Sequence, residues 1–307
     1  MKTVSEISAN GLVWVNITKQ GDKELAEIQK RFGFLEVDIQ ESLPPFQRPK
    51  IVKRDHYYFL VLHFPIFDRE TKRLGFTEVD FFISPNSLVT IHNNRLPAID
   101  SFFSDCRKTE ATRQKFFTGT AVHLFFELMS RLLEAVFPSL LHVNEDINRV
   151  DHKLFSAPPG RVMAEEILRL KTNIVTFRRA MQGHRTVLDR LVLYSGRDLD
   201  ISSFQTYINN LREFTNEIWH MLESQKESVN ALHETNESLL ALRTSEIMKT
   251  LTVISVITFP LTLFVAWTDS HLSGNFFVVP GGFYAMSFLI VAGAVFMMYM
   301  FKRKNWL

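Results

Sequence analysis

The spacing of apolar residues changes along this chain. In the first 95 positions it is strand-like. Leu12 to Ile17, Tyr57 to Ile66 (YYFLVLHFPI), Glu78 to Ile83 and Ser87 to His92 read as four strands, the last two separated by Ser84-Pro85-Asn86 turn chemistry. Lys23 to Phe32 predicts a short helix. Beyond residue 117 the period becomes helical. Thr118 to Phe155 is one such stretch, broken near Pro138, and Ala164 to Tyr194 is another. Ala157-Pro158-Pro159-Gly160 between them reads as a turn. The pattern predicts a small mixed α/β domain followed by helices.

From Ser202 to Lys249 there is neither Pro nor Gly. Phe204, Ile208, Leu211, Ile218, Leu222, Val229, Leu232 and Leu239 step by threes and fours, and Gln225 and Asn236 interrupt the same stripe. This predicts a coiled-coil-like helix with polar breaks in its seam. Nothing stops it before the next segment, so a helix from 202 to 268 would be ~100 Å long. Such a helix must bury its stripe on its own domain or on copies of itself.

Two uncharged runs follow, Thr250 to Thr268 and Gly281 to Phe301. Each is long enough to cross a hydrocarbon layer of ~30 Å as a helix. Two such runs back to back rarely fit in a soluble core, which favours a membrane hairpin over a pair of core helices. Arg243 and Lys249 precede the first run, and Lys302, Arg303 and Lys304 follow the second. The positive-inside rule then puts both termini in the cytoplasm, with a small outer loop, 269–280. Trp267 and Trp306 fall where interfacial aromatics sit. Met1 to Asn16 lacks the apolar core of a secretory signal, so an inner or plasma membrane location is expected.

The first span has two faces. At 100° per residue, Met248, Thr252, Ser255, Phe259, Thr262 and Ala266 share one side, with Leu251 at its edge. Val253, Ile257, Leu261 and Phe264 lie opposite. Hydroxyls in hydrocarbon favour a protein or water neighbour. Two readings stay open: helix packing with Ser/Thr bonded back to their own backbone, or one wall of a pore. Two spans cannot enclose a path, so a pore requires several copies. Pro260 frees a backbone carbonyl in either case.

Composition adds exclusions. The chain has 307 residues with 35 Lys+Arg against 33 Asp+Glu, a formal charge of +2 that gives no reason to expect nucleic acid as a partner. The single cysteine, Cys106, rules out an internal disulfide and a Cys-based zinc finger. There is no HExxH, P-loop, GxSxG, or GxGxxG after a strand, so neither an enzyme nor an organic cofactor is expected. His142, Glu145, Asp146, Asp151 and His152 lie along one helix as a weaker metal-site candidate.

Several stretches resemble the CorA magnesium-transporter family. They are Glu246 to Ile254, Phe259-Pro260-Leu261-Thr262, the terminal Lys302 to Leu307, and, in the soluble part, Trp14-Val-Asn-Ile, Arg48-Pro-Lys, Tyr57 to Leu62 and Leu88 to His92. The resemblance covers nearly the whole chain. It implies a homopentameric funnel in the lipid membrane. Each subunit would carry an α/β/α sandwich domain (1–200), a stalk helix (201–249), a pore-lining span (250–268), an outer loop (269–280), a second span (281–301) and a basic tail (302–307). By that resemblance Met248 and Leu251 match narrow apolar gate positions, and Phe259 and Thr262 match pore positions. Lys302, Arg303 and Lys304 match a basic belt at the cytoplasmic neck. Glu213 and Glu234 fall at or near acidic positions that sense metal, while Asn210 replaces another.

The family's Gly-Met-Asn signature at the outer mouth is absent from this sequence. Ungapped, the corresponding positions are Asp269-Ser270-His271. With a four-residue insertion they are Ser273-Gly274-Asn275, which keeps Asn-Phe and the spacing to Pro280. An asparagine ring accepts hydrogen bonds from hydrated Mg²⁺ without stripping its waters. A ring of His271 would suit Zn²⁺, Co²⁺ or Ni²⁺ better. Asp269 adds negative charge that attracts cations in either register. The expected function is channel-like transport of divalent cations (Mg²⁺, Co²⁺, Ni²⁺ or Zn²⁺) as substrates. The alternatives are a proton-coupled zinc transporter, or a membrane scaffold or sensor that kept the fold and lost conduction.

Overall fold

A computed structural model describes residues 4–18, 22–68, 70–156, 160–194, 204–271 and 280–303. Its contacts divide the chain into two units, Met1–His233 and Glu234–Leu307.

The first unit is built on a six-stranded mixed sheet. Its strands are β1 (Val4–Ala9), β2 (Leu12–Ile17), β3 (Lys50–Lys53), β4 (Tyr58–Asp68), β5 (Arg73–Ile83) and β6 (Ser87–His92), in the order β1-β2-β6-β5-β4-β3. β2 and β6 run parallel; all other neighbours are antiparallel. The Asn10-Gly11 pair closes the first hairpin with both residues at positive φ, the geometry that matches strand twist. Strand alternation sends Phe59, Val61, Phe82, Val89 and Ile91 to one face. There they pack with Leu25 and Ile28 of α1 (Asp22–Phe32) and Ile39 of α2 (Glu36–Glu41). The other face carries Trp14 against Phe102 and Phe103 of α3 (Pro97–Lys108) and Phe81 against Phe125 of α5 (Ala121–Glu134). It also carries Phe64 against His184 of α7 (Arg161–Leu193). This is the expected α/β/α sandwich, completed by α4 (Glu110–Phe116) and α6 (Phe137–Ser156).

Three polar groups shape the core. Asp38 is fully buried and receives two bonds from Arg54 (2.9 and 2.6 Å) and one from the Tyr57 hydroxyl (2.5 Å), which ties α2 to the β3–β4 connection. Burial, and then the bond to Asp38, push the Tyr57 hydroxyl up to about 12. Asp80 lies in the middle of β5 with both carboxylate oxygens buried and unpartnered. The neighbouring Ser42 hydroxyl is bonded to the Asp38 carbonyl. Desolvation, reinforced by Glu78, pushes the Asp80 carboxyl well above its ordinary range. His184 is buried, and desolvation pulls it down to about 4.

The long helix α8 spans Gln205–His271 and contains Pro260. Within the first unit its stripe of Ile208, Leu211, Ile218, Leu222, Val229 and Leu232 is buried. Arg212 pairs with Asp189 of α7 (2.8 Å), Arg178 of α7 with Glu223 (2.5 Å), and the Gln225 amide donates to the Leu140 carbonyl of α6 (2.8 Å). The stripe's upper part is therefore seated on its own domain, and one polar break has a structural partner. The second unit contains the rest of α8 and α9 (Pro280–Arg303).

The sequence reading placed the α5–α6 break near Pro138. It falls at Ala135-Val136, and Pro138 sits in the first turn of α6, where its missing N–H costs nothing. β1, β3 and helices α2 to α4 were not foreseen. The proposed cluster along α6 does not form a metal site. Among the described residues no three His, Cys, Asp or Glu side chains converge on one point. Asp146 is paired with Arg149 and Arg169 instead, and His142 with Glu145.

Two outcomes test this core. Arg54→Met leaves the Asp38 carboxylate buried without its counter-charge and should lower stability by about 3 kcal/mol in denaturant titrations. For Asp80 the sign follows from linkage. Its folded-state pKa is raised, so the unfolded chain releases a proton that the folded chain keeps, and stability falls as pH rises above the ordinary carboxyl range. Asp80→Asn should therefore gain thermal stability relative to the unmodified protein as pH goes from 5 to 8. An unchanged difference across that range would show that Asp80 is already ionised in the fold.

Candidate ion pathway

The membrane-length part of α8 is apolar, and almost none of it is buried within the chain. It is long enough and apolar enough to cross a membrane. Its two faces differ in what covers them. Val253 is buried, and Ile257, Leu261 and Phe264 are partly covered. Gly293 of α9 lies against this side: a Cβ at that position would sit 3.5 Å from a Leu261 methyl. Small residues at such a crossing let two helices approach closely. Ala292-Gly293-Ala294 carried that signal in the sequence and was not read as a contact.

The other face is uncovered. Met248, Leu251 and Phe259 are 56%, 55% and 72% exposed, Thr252 and Thr262 are exposed, and Ser255 is half-buried. The threonines donate their hydroxyl protons to their own helix. Thr252 bonds the Met248 carbonyl (2.7 Å) and Thr262 bonds the Thr258 carbonyl (2.9 Å). Back-bonding and an outward polar face, posed as alternatives in the sequence, occur together. A threonine bonded in this way still presents oxygen lone pairs outward, so it acts toward its surroundings as an acceptor. Pro260 has no N–H to give the Val256 carbonyl, which leaves a further acceptor on the helix.

The remaining candidates are spread along the chain. Asp269 and His271 fall in the last turn of α8, which continues through both. Gly274, Asn275 and Lys304 lie outside the described residues. Lys302 and Arg303 end α9 and are exposed. Glu213 is exposed beside Arg212, Glu217 and His220 on α8, and Glu234 is exposed in the second unit. Glu223, further along α8, is paired with Lys226 and Arg178, and these cations hold its carboxyl below the usual range.

An α/β/α domain joined to a long helix with a membrane-length apolar part is the architecture of a membrane transporter. The profile of the CorA-like Mg2+ transporter protein family matches residues 9–303, and the chain belongs to that family of divalent-cation transporters rather than to a class of enzymes. It is 24% identical to the cobalt/magnesium transport protein CorA of Methanocaldococcus jannaschii over 96% of this chain and 92% of that one. It is also 24% identical to the protein of the same name from Thermotoga maritima, over 96% and 83%. Among solved structures, the complete CorA magnesium transporter from Methanocaldococcus jannaschii superposes with a TM-score of 0.81 at 21% identity, covering 99% of this chain and 94% of that one.

The Gly293 contact gives a direct test of the hairpin. Gly293→Ala fits the available space and should leave the protein's melting temperature in detergent within a degree or two. Gly293→Leu overfills it and should destabilise by about 1–3 kcal/mol. Equal behaviour of the two would mean that α9 does not lie on Leu261.

Proposed function

We propose that this chain forms a channel-like homopentamer that conducts divalent cations down their electrochemical gradient. It would lie in an inner or plasma membrane with both spans crossing and both termini in the cytoplasm. The single observation that carries the reading is the division of α8. Val253 is buried and Ile257, Leu261 and Phe264 are partly covered, with Gly293 of α9 at Leu261, while Met248, Leu251, Thr252, Phe259 and Thr262, like Ile254 and Leu263, are exposed among the described residues and Ser255 is half-buried. A face that presents oxygen acceptors is costly against lipid and useful around a hydrated cation. Copies arranged around an axis satisfy it. The number five comes from the family resemblance.

In this reading Met248 and Leu251 form an apolar constriction, and Thr252, Ser255, Phe259 and Thr262 line the path above it. Lys302, Arg303 and Lys304 form a basic collar at the cytoplasmic side. Glu213 and Glu234 are candidates for metal sensing between subunits. Asn275, with Gly274, or else His271, with Asp269, forms the outer mouth. The names of the relatives make Mg²⁺ and Co²⁺ the first ions to test, and the chemistry of the two registers separates them from Zn²⁺ and Ni²⁺.

The test is ion flux into liposomes holding the full chain. Thr262→Trp should reduce flux at least roughly tenfold by narrowing the path, whereas Phe288→Trp, on the exposed side of α9, should leave it unchanged. Full flux through Thr262→Trp refutes the pathway. Asn275→Ala and His271→Ala, made separately, assign the mouth: the one that forms it changes flux or ion preference, and if neither does, both registers fail. Flux that requires a proton gradient indicates the coupled zinc transporter. A sealed, metal-responsive protein indicates the scaffold.

A further inference from the structure

A second site lies in the first unit. An open cleft of about 620 Å³ is bounded by α3 and by the ends of β1, β2 and β6. β2 and β6 are the parallel pair of the sheet, and the cleft opens beyond their carboxyl ends, the usual place for ligands in α/β sheets.

Its floor is a fixed hydrogen-bond chain. The Asn94 N–H donates to His92 Nδ1 (3.2 Å), so His92 Nε2 carries the proton and donates to Asn16 Oδ1 (3.0 Å). Thr90 also donates to Asn16 Oδ1 (2.7 Å) and in turn accepts from the Trp14 indole (3.2 Å). Two donors on one oxygen fix the orientation of the Asn16 amide. Asn16 is only 3% exposed, its amide nitrogen makes no hydrogen bond among the described residues, and it lines the cleft, so that nitrogen is a donor presented to it. His92 is held neutral, pulled down to about 4 by burial, which keeps the chain in this state at physiological pH.

The walls add charge. Arg107 and Lys108 line one end, and neither has a carboxylate partner among the described residues. Asp100 lines the cleft seven residues earlier on α3, about 10 Å along the helix, and burial raises its carboxyl. Ser104 lies between them. We propose that this cleft binds a small hydroxylated phosphate, a nucleoside or sugar phosphate. Arg107 and Lys108 hold the phosphate, Asn16 donates to the ligand, and Asp100 accepts from its hydroxyls. Paired cations with an oriented amide donor select an oxyanion, and a separate carboxylate selects against a bare one. The inference does not depend on how ions pass through the membrane.

Trp14 supplies the readout, because it bonds Thr90 and packs on Phe103, which lines the cleft (ring centroids 4.9 Å). The full chain in detergent, without divalent metal and with chelator, is titrated with AMP, glucose 6-phosphate and inorganic phosphate. Binding is followed by tryptophan fluorescence and calorimetry. At least one of the two esters should saturate the signal. R107A/K108A, at exposed positions, should weaken it by roughly tenfold or more. D100N should weaken the esters several-fold while leaving inorganic phosphate unchanged. No saturation by either ester below about 10 mM overturns the proposal. So does binding that ignores R107A/K108A, or inorganic phosphate that binds as tightly as the esters. Because these assays measure binding without ion flux, their failure would leave the transport reading standing.

Discussion

Hydrocarbon offers no partner for a hydroxyl or a free carbonyl, and the apolar, membrane-length part of α8 answers to that constraint. A single helix hairpin can cover only one side of each of its helices. Here the covered side of α8 is the one with no polar atoms in its side chains, Val253, Ile257, Leu261 and Phe264, with Gly293 letting α9 approach. The contact between the two helices therefore does nothing for Thr252 or Thr262. Their donor protons are satisfied inside the helix, and their acceptor capacity is left over. A sequence selected only for a stable hairpin would have no reason to keep hydroxyls on the face that the hairpin leaves bare. That is the physical ground for reading the face as one that meets water or other copies.

The first unit treats the same helix differently. There α8 has a partner along its apolar stripe, and the stripe's burial does most of the work. The ion pairs Arg212–Asp189 and Arg178–Glu223 are partly exposed and screened by solvent, so they add little to stability. Their value is in rotational register: they fix which face of α8 meets α7. Arg178 also lies over the Trp219 ring at 5.2 Å, so one side chain holds two points on the helix. Gln225 belongs to this set. In a coiled-coil reading it is a flaw in the seam; in the fold it caps the Leu140 carbonyl of α6.

What the sequence made legible follows from how strong each local signal was. The long apolar run of β4 and the long helical stripes were readable because burial imposed their period over many residues. β5 was read from Glu78 onward but begins at Arg73, because Arg73 to Thr77 holds a glycine, an exposed arginine and a buried polar threonine that blur the alternation. β1 was missed although Asn10-Gly11 announces the hairpin, since Val4 to Ala9 is an edge strand with little apolar content. α3 was missed although Pro97 at its start and Ile99, Phe102, Phe103 and Cys106 at helical spacing announce it. Its Arg107-Lys108 end therefore went unremarked, and so did the cleft that only the fold assembles from β1, β2 and α3. For the ion pathway, the two-faced pattern of α8 was legible from 100° spacing alone. The mouth was not, because a loop of uncertain register has no period to fix it.

The acceptor character of the uncovered face also bears on what it could pass. A hydrated divalent cation turns water protons outward, so the groups that steady it must accept hydrogen bonds. Thr252 and Thr262 can accept in this way, because their own protons are spent on the Met248 and Thr258 carbonyls, and Pro260 leaves the Val256 carbonyl without its usual donor. An anion would need donors, and on the uncovered face the hydroxyl protons of Thr252 and Thr262 are already spent. The same logic limits how tightly an ion can be held. Neutral oxygen acceptors touch the hydration shell without replacing it, which suits an ion such as Mg²⁺ that gives up its water reluctantly. In the proposed pathway, selection among divalent ions falls to the outer mouth, whose two candidate registers are centred on Asn275 and on His271.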